Sequence, residues 1–189
     1  LLERTIDWAS NNSVDSVKSM YLAHSKNVLS EPYRELKFSQ IGRDSGRGGG
    51  VIASQWMSGR RLGLLSNFVV GTVDQVLMMA LQQRFHMLRH VGLAGKVIIF
   101  DEVHAFDTYT SDYLRSTIEW LGFYGASVIL MSATLPPEKR RTLVEAYSTA
   151  PWLDEEPTGY PLLTLATRDS VEFHLSLIHI SEPTRPLYI

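Results

Sequence analysis

The chain has 189 residues, of which 44% are hydrophobic, 20% charged and 10% aromatic, with no cysteine and a formal net charge of −2. That length and apolar share suit one globular domain and exclude a disordered chain. No run approaches the roughly 18 apolar residues that span a bilayer. The lack of cysteine rules out disulfides and thiolate metal sites, and fits a cytosolic protein. The first residue is Leu1, with neither a methionine nor a signal-type segment, so the chain reads as an interior piece of a longer protein.

Charge is uneven along the chain. Residues 34–96 carry nine Lys and Arg against three acids, whereas residues 97–172 carry five against twelve. A basic stretch beside an acidic one can separate a polyanion contact from a metal or nucleotide site. Solvated helix and loop faces explain the same distribution.

The early elements are weakly patterned. Val17–His24 reads as a short strand ending in LAHS, and residues 42–50 (GRDSGRGGG) read as a mobile surface loop. From residue 68 the signals sharpen. Phe68–Val70 is a short apolar run, followed by a helix predicted from about Val73 to His90 with Leu77, Leu81, Phe85 and Leu88 on its apolar face. Val97–Phe100 (VIIF) is a β-branched and aromatic run of the kind buried on both faces of a sheet. A helix over about Tyr109–Phe123 aligns Leu114, Ile118 and Leu121. Ser127–Met131 (SVILM) is a second buried strand, and Pro137–Tyr147 a helix with proline in its first turn. Strand, helix and strand in alternation predict an α/β fold with a parallel sheet.

Three elements carry chemistry. Asp101 and Glu102 follow VIIF at once, with His104 and Asp107 just beyond. Ligands of open parallel sheets bind outside the carboxyl ends of strands, where this pair falls. One carboxylate there can hold Mg²⁺ through water while its neighbour polarises an attacking water. The same acids can simply favour a helix start. Ser132-Ala133-Thr134 follows SVILM, so adjacent strands would bring these hydroxyls beside the acids; a strand-to-helix turn capped by Thr134 is the structural alternative. Gly71-Thr72-Val73-Asp74-Gln75 fits a capping box from Thr72 to Gln75, and equally a helix N-terminus offering N–H groups to phosphate. Arg84, His86, Arg89, His90 and Lys96 fall at the far end of the predicted helix, so they need not touch the same ligand.

In order, GTVDQ (71–75), VIIFDEVHAFD (97–107) and MSATLP (131–136) resemble motifs Ib, II and III of superfamily 2 helicases. They resemble most the helicase core of the type I CRISPR-associated helicase-nucleases, as do LAHS (22–25), LAGKVIIFDEVHAFDTY (93–109) and YPLLT (160–164). The resemblance covers roughly residues 15–165. It implies an incomplete RecA-like first motor lobe over residues 1–170, of the P-loop NTPase class, with 171–189 as a tail. By resemblance, Asp101 would hold Mg²⁺ through water, Glu102 would be the catalytic base, and His104 would link the nucleotide site to motif III. Ser132 and Thr134 would couple hydrolysis to strand movement, and Gly71 and Thr72 would contact the backbone of single-stranded DNA. Gln75 and Asp107 read as structural, Asp107 capping the next helix. His24, His86 and His90 read as surface or loop residues rather than metal ligands.

The implied ligands are ATP and Mg²⁺, and the implied partners single-stranded DNA and an RNA-guided surveillance complex. Two alternatives stand beside this one: a DExH helicase without CRISPR ties, and a non-catalytic nucleic-acid-binding lobe. LSLIHISEPTR (175–185) resembles an in-frame translation of a sequencing-library adapter, which would end the native sequence near His174. No G-x-x-x-x-G-K-[ST] occurs; Gly95-Lys96 lacks both the upstream glycine and the hydroxyl residue. In the family that loop would lie upstream of Leu1, and a second lobe with its arginine finger beyond residue 170. The isolated 1–174 chain is therefore expected to be poorly soluble and not to turn over ATP at a useful rate. Rapid DNA-stimulated turnover in a phosphate-release assay would contradict this.

Overall fold

The computed structural model describes residues 2–12, 18–23, 51–52, 62–84, 86–153 and 157–175. The glycine-rich stretch 42–50, His24, Phe85 and the rest of the adapter-like string after Leu175 lie outside them. The chain begins with helix α1 (Leu2–Asn12) and strand β1 (Lys18–Ala23), the latter where the LAHS stretch predicts a strand. β1 is the centre of a parallel sheet, with β2 (Val51–Ile52) on one side and β3 (Phe68–Gly71) on the other. Ile6 and Ala9 of α1 pack against Met20 and Phe68, and Trp8 meets the Phe68 ring edge-on at 6.0 Å.

A second parallel pair, β4 (Ile98–Phe100) and β5 (Val128–Leu130), is joined through α4 (Thr108–Tyr124). Helix α5 (Pro137–Tyr147) follows β5 with the boundaries its proline predicts. An antiparallel hairpin, β6 (Leu162–Ala166) and β7 (Val171–Leu175), ends the described chain and crosses residue 170. The α/β class and parallel pairing hold, but among the described residues the parallel strands form two separate sheets rather than one.

The main core lies on one side of β4–β5. Ile98, Phe100 and Val103 meet Leu114, Ile118 and Leu121 of α4 and Leu143 of α5. The stripe predicted for α4 is the buried one, and Thr117 completes it. Burial holds α5 in place. Truncating a buried leucine such as Leu143 costs about 2–5 kcal/mol, whereas the exposed Arg141–Glu145 pair at 2.7 Å is worth about 0.3–0.5 kcal/mol.

Two expectations are corrected. The helix predicted over Val73–His90 is broken into α2 (Asp74–Leu77), a 3-10 turn (Met78–Ala80) and α3 (His86–Ala94), with Leu81 extended between them. Tightening after Leu77 buries Met79 almost completely, where a straight helix would direct Leu81 inward. The second correction concerns β4 and β5, which are buried on one face only. Val97 (63% exposed), Ile99 (58%), Ile129 (46%) and Met131 (45%) line the other face, which nothing among the described residues shields. Ile99 and Ile129 are paired across the ladder. Replacing both by threonine keeps the β-branched shape while removing apolar surface. The double variant is expected to raise the soluble yield of the isolated chain severalfold, with its melting temperature little changed. Unaltered light scattering would assign the association to another surface.

Candidate functional site

The site is built on the main chain of Met131. Its N–H donates to the Phe100 carbonyl at 2.9 Å, and its carbonyl accepts from Val103 N–H at 3.1 Å. Asp101 and Glu102 are the two residues between these bonds, so the chain must turn sharply outward there. Val103 is fully buried and anchors the return, while both acids are exposed. Glu102 sits at φ 56°, ψ 42°, a left-handed conformation unfavourable for any residue with a Cβ. Among the described residues it is the one non-glycine with positive φ. Asp101 Oδ1 accepts from the Glu102 N–H at 3.0 Å, a bond that does not use its second oxygen.

Of the expected neighbourhood of acids and hydroxyls, the part involving Ser132 is present. Ile98, Ile99 and Phe100 pair with Val128, Ile129 and Leu130, so both strand ends lie together. His104 Nδ1 lies 3.2 Å from Glu102 Oε2 and 3.3 Å from Ser132 Oγ. Ser132 has one hydroxyl proton, which it donates to the Thr134 carbonyl at 2.8 Å. Its oxygen therefore accepts from His104, and the imidazole carries hydrogen on Nδ1, shared between serine and glutamate. Thr134 enters this chain through its carbonyl rather than its hydroxyl. Lys139 of α5 donates to the Val103 and Phe106 carbonyls at 3.4 and 3.5 Å and steadies the turn that carries His104. No spacing rule points to Lys139, because it reaches the turn from a different helix.

Asp107 caps α4 as anticipated, accepting from Thr110 N–H at 2.7 Å. That backbone hydrogen bond holds its carboxyl below the ordinary aspartate range. The Thr72–Gln75 capping box does not form. Helix α2 has Val73 at its start with no side-chain cap, and the Gln75 and Val76 N–H groups donate to the Thr72 and Val73 carbonyls. A four-residue helix with its N–H groups so occupied presents no phosphate cradle. Gly71 and Thr72 are exposed at the end of β3, and Thr72 N–H donates to the Ala23 carbonyl at 3.4 Å. Gly71 is opposite Ala23, and a Cβ there would come within 2.7 Å of the Ala23 carbonyl oxygen. Only glycine fits without displacing β1.

His90 is buried, not a surface residue, and Arg89 and His90 fold back onto the segment after Thr72 rather than lying remote from it. Among the described residues no three His, Asp or Glu side chains are grouped to hold a metal. Two exposed carboxylates nonetheless suit Mg²⁺, which keeps most of its waters and takes one or two carboxylates together with substrate phosphates. No helix of the described chain is long and apolar enough to cross a membrane.

Adjacent parallel strands that end in paired acids on one side and serine and threonine on the other define a RecA-like α/β lobe of the helicase class. The sequence matches the DEAD/DEAH box helicase model over residues 6–143, and the chain belongs to that family. It is 38% identical to the CRISPR-associated nuclease/helicase Cas3 of Streptococcus thermophilus, covering 100% of this chain and 22% of that protein. Among solved structures it is similar to T. fusca Cas3-ATP, with a TM-score of 0.74 and 31% identity over 90% of this chain and 19% of that one. A chain of a CRISPR RNA-guided surveillance complex in a pre-nicking state aligns with a TM-score of 0.56 and 28% identity, over 90% of this chain and 20% of that one. The chain thus spans about a fifth of the length of these relatives.

The geometry of Glu102 separates stability from activity. Glycine at this position removes the left-handed penalty, so Glu102→Gly is expected to stabilise the fold by about 1 kcal/mol. A melting temperature below that of the unmodified chain would show that the contact with His104 outweighs the backbone strain.

Proposed function

We propose that this chain is the first motor lobe of an ATP-driven DNA helicase of CRISPR interference, and that residues 101–104 are its hydrolytic site. One observation carries the reading: Asp101 and Glu102 are turned out of the sheet between two hydrogen bonds to Met131, with His104 bridging Glu102 to Ser132. Such a turn presents two carboxylates to a ligand at the strand ends while the backbone cannot retract.

Asp101, whose second oxygen is not used by the Glu102 amide, would hold Mg²⁺ through water. The ion would supply neutralisation of charge on the phosphates of ATP. Glu102 would orient and deprotonate the attacking water. His104, with hydrogen on Nδ1, keeps the glutamate aimed and senses the position of Ser132. Any movement of Ser132 and Thr134 then reaches the base through one imidazole. Gly71 and Thr72, exposed at the end of β3, would meet the backbone of single-stranded DNA. The likeness to Cas3 proteins supports ATP as the nucleotide and an RNA-guided surveillance complex as the partner. The site of action would be the cytoplasm.

The test uses the natural polypeptide that contains this lobe. Glu102→Gln keeps size and hydrogen bonding but removes the base. Turnover of ATP is expected to fall by about 100-fold or more, with nucleotide affinity retained in a fluorescent-analogue titration. Activity within a few-fold of the unmodified protein would remove Glu102 from the chemistry.

A further inference from the structure

Arg89 and His90 are adjacent on α3, yet each ends on a main-chain carbonyl of the segment that follows Thr72. Arg89 Nη1 donates to the Gln75 carbonyl at 2.8 Å, from within α2. His90 Nε2 lies 3.1 Å from the Met79 carbonyl. A carbonyl only accepts, so this nitrogen carries the hydrogen. Nδ1 is then the acceptor for the Tyr124 hydroxyl at 2.9 Å. The ring also meets Trp120 and Tyr124 edge-on, at centroid distances of 5.1 and 5.8 Å. Both nitrogens are thus committed, one to each side. Burial holds the His90 pKa below the ordinary imidazole range; the Met79 carbonyl opposes this and His86 adds to it. The ring is neutral at neutral pH, as acceptance from Tyr124 requires.

The two sides differ in what they carry. Gln75 and Met79 belong to the eight residues, 73–80, that run on directly from Thr72. Tyr124 is the last residue of α4, whose first turn is capped by Asp107 and whose buried stripe packs on Phe100 and Val103, the residues flanking Asp101 and Glu102. Leu77 and Met79 share that core with Leu114, Ile118 and Leu121. A displacement at Thr72 therefore has a short hydrogen-bonded route to the helix that backs the acids, and the route passes through α3.

We propose that Arg89 and His90 are positioning residues that clasp the Thr72–Ala80 segment, Arg89 to α3 and His90 onward to α4, so that a strand seated on Gly71 and Thr72 accelerates hydrolysis at Glu102. This rests on the functional reading above. The pair touches neither reacting atoms nor DNA, so its loss should alter the coupling between the two sites and spare each site taken alone.

The experiment measures ATP turnover by the natural polypeptide with and without single-stranded DNA, alongside DNA affinity and melting temperature. His90→Phe keeps the ring but removes both hydrogen bonds, and Arg89→Met removes the donor to Gln75. Each is expected to lower DNA stimulation by about tenfold, within the range of ordinary coupling energies, while DNA-free turnover and DNA affinity stay near the unmodified values. Arg89→Lys, which restores a donor, is expected to recover much of the stimulation. Should both variants be stimulated as strongly as the unmodified protein, the clasp is refuted and the functional reading stands. A proportional fall in basal turnover, stimulation and melting temperature would make the pair merely structural and also refute it. If His90→Phe does not fold, Arg89→Met and Arg89→Lys decide. An unmodified protein that hydrolyses ATP but ignores DNA would overturn the DNA-contact reading, and the clasp with it.

Discussion

Two hydrogen bonds to a single residue shape the acidic turn of this lobe. Met131 holds Phe100 through its N–H and Val103 through its carbonyl, and the two residues between are the acids. A loop of two residues closed at both ends has few backbone solutions. One of them puts a glutamate in the left-handed region, at a cost that surrounding packing must offset. Val103 supplies much of that packing, being fully buried against α4. Removing the β4–β5 pairing would release the turn and separate His104 from Ser132 at the same stroke.

Energetically the lobe is a strong core with a lightly built rim. Phe100, Leu114, Ile118, Leu121 and Leu143 are almost completely buried together, and each large side chain contributes kilocalories rather than tenths. The Arg141–Glu145 ion pair and the contacts of His104 with Glu102 and of His174 with Glu172 are exposed and weak by comparison. The contact between His104 and Glu102 therefore orients the glutamate more than it stabilises the fold.

The two polar networks lie toward opposite ends of α4. The network of His104, Ser132 and Glu102 lies near its N-terminus, where Asp107 caps the helix. The network of Arg89, His90 and Tyr124 meets its C-terminal turn. The helix runs 17 residues along one buried stripe, so the same packing backs both ends.

Local interactions are what the sequence alone determined. Pro137 opens α5 at its own position, Asp107 caps α4 three residues before the amide it binds, and the apolar stripe of α4 is the buried stripe. The juxtaposition of the acids and the serine was legible because strand ends are marked by abrupt changes from apolar to polar residues. The family resemblance added the order and spacing of the three motifs. Tertiary structure decided the rest. Periodicity from Val73 to His90 favours one helix, but burying Met79 and satisfying the Gln75 and Met79 carbonyls through Arg89 and His90 favours a break. The left-handed Glu102, the reach of Lys139 and the one-sided burial of VIIF depend on partners many residues away. A pattern read along the chain registers contacts within a turn or two, and these features are set by hydrogen bonds and packing that close only when distant segments meet.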